Sequence, residues 1–185
     1  MSKRIVTLAA IAALTWLALA GAGKSQARAG LGFGHAPAAA FGGVTNIKEV
    51  VNRTNETLVV EKIDFTGNAI TGRREDTGNI PPDGVWTGDM WVPWANNAEE
   101  FTNHRIEIHI WALRPGSMER DGGWKFFVWQ TGEYVRFNEV RRFVENAPRV
   151  PGLARAGGER RLVISAKADK DKGQKFTFAF EKLNP

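Results

Sequence analysis

Cysteine is absent from all 185 residues, so no disulfide staples the chain, and it offers no thiol nucleophile, thiolate metal ligand or acylated lipoprotein anchor. Histidine occurs three times, and beyond residue 29 only two serines remain, Ser117 and Ser165. Ser117 lies in the turn-like RPGSMERDGG and Ser165 alternates with apolar neighbours. Neither is a presented nucleophile, and a Gly-x-Ser-x-Gly elbow is missing. HExxH and paired Cys/His spacings are missing too. His104, Glu107 and His109 come close together in sequence, but a closed metal site needs three or four converging ligands. No cofactor is expected. Carboxylate pairs such as Glu99 with Glu100, or Asp89 with Glu107, leave glycosidase chemistry open without supporting it, because that chemistry rests on separation and one raised pKa.

A long apolar run is found only at the N-terminus. Met-Ser-Lys-Arg precedes a largely apolar stretch from Ile5 to Leu19, too short to span a bilayer comfortably, and Ala27-Arg28-Ala29 follows small and polar residues. These are the parts of a bacterial-type signal peptide over residues 1–29, with cleavage expected after Ala29 and a soluble product secreted or in the periplasm. Uncleaved, the same segment would be an N-terminal membrane anchor. It holds Lys3, Arg4, Lys24 and Arg28 and no acid, so removing those 4 from the 25 basic residues leaves 21 against 20 acidic ones. The formal charge of +5 thus belongs mostly to the leader, and nucleic acid is not an expected partner. Residues 30–43, GLGFGHAPAAAFGG, have no periodic apolar pattern and read as a flexible leader. The two matches to glycosylation acceptors between 52 and 57 read as turn residues. About 156 residues beyond Ala29 suffice for one unaided core, so residues 44–185 are expected to form a single domain.

Strand signals dominate that domain. TLVVEKIDF (57–65) lies between polar turn formers, and RIEIHIW (105–111) alternates strictly, with Ile106, Ile108 and Ile110 on one face. RLVIS (161–165) suits pairing with KFTFAFEKL (175–183), whose Phe176, Phe178 and Phe180 share a face. In WKFFVWQTGEYVRF (124–137), a Thr131-Gly132 turn would set Phe126 against Phe137 and Val128 against Val135 on one face. The other face would carry Trp129 against Tyr134 and Phe127 against Arg136. Only NEVRRFVENA (138–147) has helical spacing, which predicts at most one short helix near 138–147. The expected fold is all-β, an antiparallel β-sandwich, with a small β-barrel as the alternative. In architecture such a sandwich resembles lectin-like and jelly-roll-like modules, a likeness of fold that does not carry function.

Tryptophan is the abundant exception. Apart from Trp16, every Trp falls between positions 86 and 129, and three stand within nine residues in WTGDMWVPW. Trp111 and Trp124, on strands, are expected to serve the core. Trp86, Trp91 and Trp94 sit among Pro81, Pro82, Asp83, Gly84, Gly88 and Pro93, which marks a loop or edge segment. They would either present indole faces to a ligand or lie as a lid over the aromatic, cationic face of the hairpin. The ligand reading makes Trp86, Trp91, Trp94 and Trp129 stacking residues, with Asp89 and Tyr134 as hydrogen-bonding groups and Arg136 facing a charged substituent. The function expected is a non-catalytic binding module for a glycan or similar hydroxyl-rich ligand. A membrane-surface or toxin-like protein using the same aromatics on lipid is the alternative, as is a structural envelope protein with a Trp-rich core. Oligomeric state is not legible from these features.

Overall fold

The computed structural model describes residues 43–67, 70–167 and 176–183. The signal peptide, the leader up to residue 42, and residues 168–175 before the last strand lie outside the described residues. The elements run β1 (Thr45–Arg53), β2 (Leu58–Thr66), β3 (Arg73–Asp76), β4 (Val85–Trp91), α1 (Ala98–Asn103), β5 (His104–Leu113), β6 (Arg120–Thr131), β7 (Tyr134–Asn138), β8 (Gly158–Ala166) and β9 (Phe176–Lys182). They build two sheets, ordered β4-β1-β8-β9 and β3-β2-β5-β6-β7, packed face to face and not closed into a barrel. The expected all-β sandwich is the fold observed. Every strand pair is antiparallel except β1 with β8, which run parallel and join the two ends of the domain.

Period-two patterning decides what lies between the sheets. Ile106, Ile108 and Ile110 of β5 are buried there, as are Phe176, Phe178 and Phe180 of β9. Phe178 stacks flat on Phe126 of the opposite sheet, 4.2 Å between ring centres, with Trp124 at 5.2 Å and Phe137 at 5.0 Å. Aromatic contact therefore joins the two layers where no disulfide does. Trp124 has the core role expected of it. Trp111 does not: it lies on the outer face of the five-stranded sheet, its ring 3.8 Å from that of His109 and folded over Gly123. A Cβ on Gly123 would meet the indole at 2.7 Å, so glycine is what lets the ring lie down there.

The β6-β7 hairpin turns one residue later than the sequence suggests. Thr131 pairs with Tyr134, which puts Gly132 first in the turn with φ of 56°, and the whole ladder shifts so that Trp129 faces Arg136 and Val128 faces Phe137. A two-residue turn with glycine in its first position fits the twist of the flanking strands. Because the slip moves the partner strand by two residues, each side chain keeps its face.

Residues 138–147 form no helix. Phe137 N–H donates to the Pro148 carbonyl at 3.0 Å, and Val150 N–H donates back to the Val135 carbonyl. A ten-residue helix would carry its ends about 15 Å apart, so pairing with β7 forces a tight reversal instead. Val140 of the supposed apolar stripe is 52% exposed. Phe143, Val144 and Ala147 turn inward and, with Phe101 of α1, cover Phe127 and Trp129 in a second core on the outer face of the sheet. That face of the hairpin is closed by α1 and the 143–147 segment, not by the Trp loop.

The one helix among the described residues, α1, is set by an Asn97-x-x-Glu100 pattern. Glu100 N–H donates to Asn97 Oδ1 (2.8 Å), while Asn96 N–H donates to the Glu100 carboxylate (2.7 Å). Beyond the reversal, the chain crosses from β7 to the other sheet at Gly152, whose φ is 80° and where a Cβ would stand 2.3 Å from the Phe180 carbonyl. No other residue fits that approach.

Candidate functional site

Strand β4 is an edge of the four-stranded sheet, and its alternation sorts the Trp-rich segment. Val85, Thr87, Asp89 and Trp91 point outward, whereas Met90 is buried and Trp86 packs against the main core. Trp86 lies across Gly88, close enough that a Cβ there would overlap the indole. After Trp91 the chain leaves this sheet and reaches the other. Val92 N–H donates to the Thr45 carbonyl (2.9 Å), Gln130 N–H donates to the Pro93 carbonyl (2.8 Å), and Ala95 N–H donates to the Gln130 carbonyl (2.9 Å). Pro93 is tolerated because the crossing needs its carbonyl and not an N–H.

The crossing is fixed by one buried side chain. Gln130, 0% exposed, accepts at Oε1 from the Thr45 N–H (3.0 Å) and the Thr45 hydroxyl (2.5 Å), and donates from Nε2 to the Val92 carbonyl (2.9 Å). Thr45 Oγ1 in turn accepts from Gly157 N–H at 2.8 Å. A buried amide whose groups are satisfied in this way specifies one arrangement.

That arrangement leaves a groove of about 390 Å³ at this end of the sandwich. Trp91, Pro93 and Trp94 form one wall, with buried Val92, Phe65 and Ile106 beneath. Asp64, Thr66, His104 and Arg105 come from the end of β2 and the start of β5, where Thr66 pairs with His104 and Phe65 with Arg105. Trp91 is 55% exposed and Trp94 is half-buried. With about 250 Å² of indole surface to cover, that exposure leaves roughly 140 Å² wet and forgoes about 3 kcal/mol of burial.

Polar groups around the indoles are ordered by ion pairs. Asp89 accepts from Lys48 Nζ (2.9 Å) and Asn46 Nδ2 (2.6 Å), and the Lys48 bond followed by the Asn46 bond holds its carboxyl below the usual range. Asp64 sits 2.9 Å from Lys62 Nζ. Arg105, 2% exposed, donates to the Gly67 carbonyl (2.8 Å) and to the Thr102 carbonyl, and its guanidinium stacks on Phe65 at 4.8 Å. Burial, and then the charge of Arg141, lowers the pKa of Arg105.

Of the seven residues expected at the site, Trp91 and Trp94 meet in this groove, and Asp89 stands on the same outward face as Trp91 but is engaged with Asn46 and Lys48. Trp129 is sealed, 0% exposed, edge-on to Phe101 at 5.2 Å, so the expected stacking role for it is corrected to a core one. Trp86 faces the main core. Tyr134 and Arg136 lie on β7 and do not line the groove; Arg149 covers the Tyr134 ring at 3.4 Å, and Arg136 donates to the Ala147 carbonyl at 2.5 Å. Asp64, Thr66, Arg105 and Gln130 were not singled out from the sequence, and His104 was weighed there only as a metal ligand. The register that brings Thr66 to His104 was not visible there.

Fold and groove together define an all-β sandwich with an aromatic cleft at one end. No protein-family model matches the chain, and neither characterised proteins nor solved structures match it. Among the described residues, no three His, Asp or Glu side chains converge to hold a metal, and no helix is long and apolar enough to cross a membrane.

Proposed function

We propose that this protein is an exported, non-catalytic binding module that holds a saccharide in the Trp91–Trp94 groove, with Trp91 and Trp94 stacking on sugar rings. The observation that carries the reading is the large wet indole of Trp91 on a braced edge strand beside a second indole, an arrangement costly to keep without a ligand. Sugar rings offer apolar C–H faces to indoles and hydroxyls to the surrounding Asp64, Thr66 and His104. The volume lies at the small end of ligand pockets, which suits one or two sugar units. The groove lining contains one carboxylate, Asp64, whereas hydrolysis by the usual paired mechanism uses two about 5–10 Å apart. Binding is therefore preferred to cleavage.

Intrinsic fluorescence titrated with soluble polysaccharides and, separately, with liposomes tests this. A saccharide response that Trp91→Ala abolishes in a folded protein supports it. A response to lipid alone would instead favour the membrane-surface reading, and silence to both would leave a structural role.

A further inference from the structure

The two sheets end in the edge strands β4, β9, β3 and β7, and all but β4 are guarded against pairing with another chain. Along β7, residues 148–156 pair back: Val135 N–H donates to the Ala154 carbonyl (2.7 Å) and Ala156 N–H to the Glu133 carbonyl (2.8 Å). On β9, Phe180 N–H donates to the Pro151 carbonyl, and the Phe180 carbonyl accepts from Leu153 N–H. Strand β3 is short, and every residue of Arg73–Asp76 is charged. Strand β4 has none of these devices. It is 7 residues long, its one charged residue is Asp89, and among the described residues no strand pairs with its outer side. Asn52 N–H donates to the Gly84 carbonyl, Val92 N–H to the Thr45 carbonyl and Met90 N–H to Asn46 Oδ1, so even-numbered positions turn their backbone groups to β1. That parity is the same on both sides of the register shift in the ladder. The N–H and C=O groups of Val85, Thr87, Asp89 and Trp91 therefore face the open side.

We propose that β4 pairs with β4 of a second copy of this chain, antiparallel about a two-fold axis at Gly88, so that their four-stranded sheets become one. Outward groups must meet outward groups, which centres the pairing on Thr87, Gly88 or Asp89. Centring on Asp89 sets two carboxylates opposite each other, and centring on Thr87 carries Trp91 beyond the partner strand. The Gly88 register uses every outward donor and acceptor. It sets Val85 opposite the partner's Trp91 and Thr87 opposite the partner's Asp89, an aliphatic–aromatic pair and a hydroxyl–carboxylate pair. Glycine suits that axis because Trp86 lies across it, and a Cβ on Gly88 would stand 2.2 Å from the indole. On the inner side, half-buried Trp86 gains the partner's Met90 beside it. The contact is isologous and closes at two copies. It does not rest on the saccharide reading: pairing uses the backbone edge of β4, and cross-strand side chains stand side by side, so the partner's Val85 meets the Trp91 indole at its flank.

Sedimentation velocity of the full chain from about 1 to about 200 µM tests the pairing, since an interface of one strand edge lies at the small, weak end of specific contacts. A monomer–dimer equilibrium with Kd inside that range is expected. Thr87→Asp, which sets like charges opposite each other at both ends of the pairing, should raise Kd at least about tenfold, whereas Thr87→Lys should leave it equal or lower. The absence of cysteine allows a register test. In an oxidised mixture of Thr87→Cys and Asp89→Cys proteins, the mixed disulfide should form ahead of either self-link, because a hydrogen-bonded pair brings its Cα atoms to about 5.5 Å. Circular dichroism on each variant checks folding. A protein that stays monomeric at about 200 µM, a dimer that Thr87→Asp leaves unmoved, or self-links that outpace the mixed one would overturn the proposal.

Discussion

Replacing Gln130 by methionine removes three buried hydrogen bonds while keeping the length of the side chain. The Thr45 N–H and the Val92 carbonyl each lose a buried partner, and the Thr45 hydroxyl keeps only the bond it accepts from Gly157. An orphaned buried polar group costs about 1–3 kcal/mol, so two to three of them, less about 1 kcal/mol gained from burying the thioether, give a loss of about 3 kcal/mol. For a domain of this size each kcal/mol moves Tm by about 2–4 °C, so Gln130→Met should melt roughly 6–12 °C below the parent. Since the lost bond to the Val92 carbonyl holds the start of the crossing, which the Gln130 backbone then continues to Pro93 and Ala95, the emission of the groove indoles should shift to the red and amides 91–95 should lose exchange protection. Differential scanning calorimetry with hydrogen exchange reads both effects. Thr131→Ala, which loses only an exposed bond to Asn96 of 3.3 Å, is the control and should stay within about 0.5 kcal/mol. A Gln130→Met protein that loses less than about 1 kcal/mol, or whose 91–95 amides stay protected, would refute the idea that this side chain ties the sheets and positions the groove.

Trp129 tests the reassignment of an indole from surface to core. Its Nε1–H is buried with no hydrogen-bond partner among the described residues, so Trp129→Phe should cost little beyond its lost volume, whereas Trp129→Ala should cost about 3–5 kcal/mol; equal, small losses in urea melts would contradict the second core. His109 predicts a pH dependence. Burial is the leading cause that lowers its pKa from 6.5, and Glu61 opposes this while Lys125, Arg120 and Arg74 assist. The unfolded chain then takes up the proton first, so the contribution of His109 to stability is complete above about pH 6.5 and is lost as pH falls through the lower folded value. The Tm of His109→Gln should therefore fall less than the parent Tm between about pH 7.5 and about pH 5.5; identical falls would count against it.

The architecture was legible because alternation is a local property. Ile106, Ile108 and Ile110, like Phe176, Phe178 and Phe180, declare a buried face without reference to any other strand, and turn residues around them bound the strands. What failed was non-local. The apolar stripe at 138–147 is compatible with a helix, but the pairing of Phe137 with Pro148 decides against one, and no property of residues 138–147 alone encodes that pairing. The hairpin turn was misplaced by one residue because Thr-Gly and Gly-Glu are both plausible two-residue turns, and the twist of the strands chooses between them. Trp129 shows the same limit. Its face was read correctly, but the cover over that face arrives from α1 and residues 143–147. Half of the site was legible for the opposite reason: prolines and glycines around Trp91 and Trp94 mark an edge, and an edge residue pointing outward stays wet. The partners opposite them, Thr66 and His104, depend on the β2-β5 register.

A two-dimensional NMR titration that follows the six indole N–H resonances of the folded domain addresses the groove most directly. With the saccharide that gives the strongest fluorescence response, the Trp91 and Trp94 signals should move together and saturably, while those of buried Trp129 and core-facing Trp124 stay in place. Motion confined to other indoles, or no motion of Trp91 and Trp94 at saturating sugar, would contradict a binding site there.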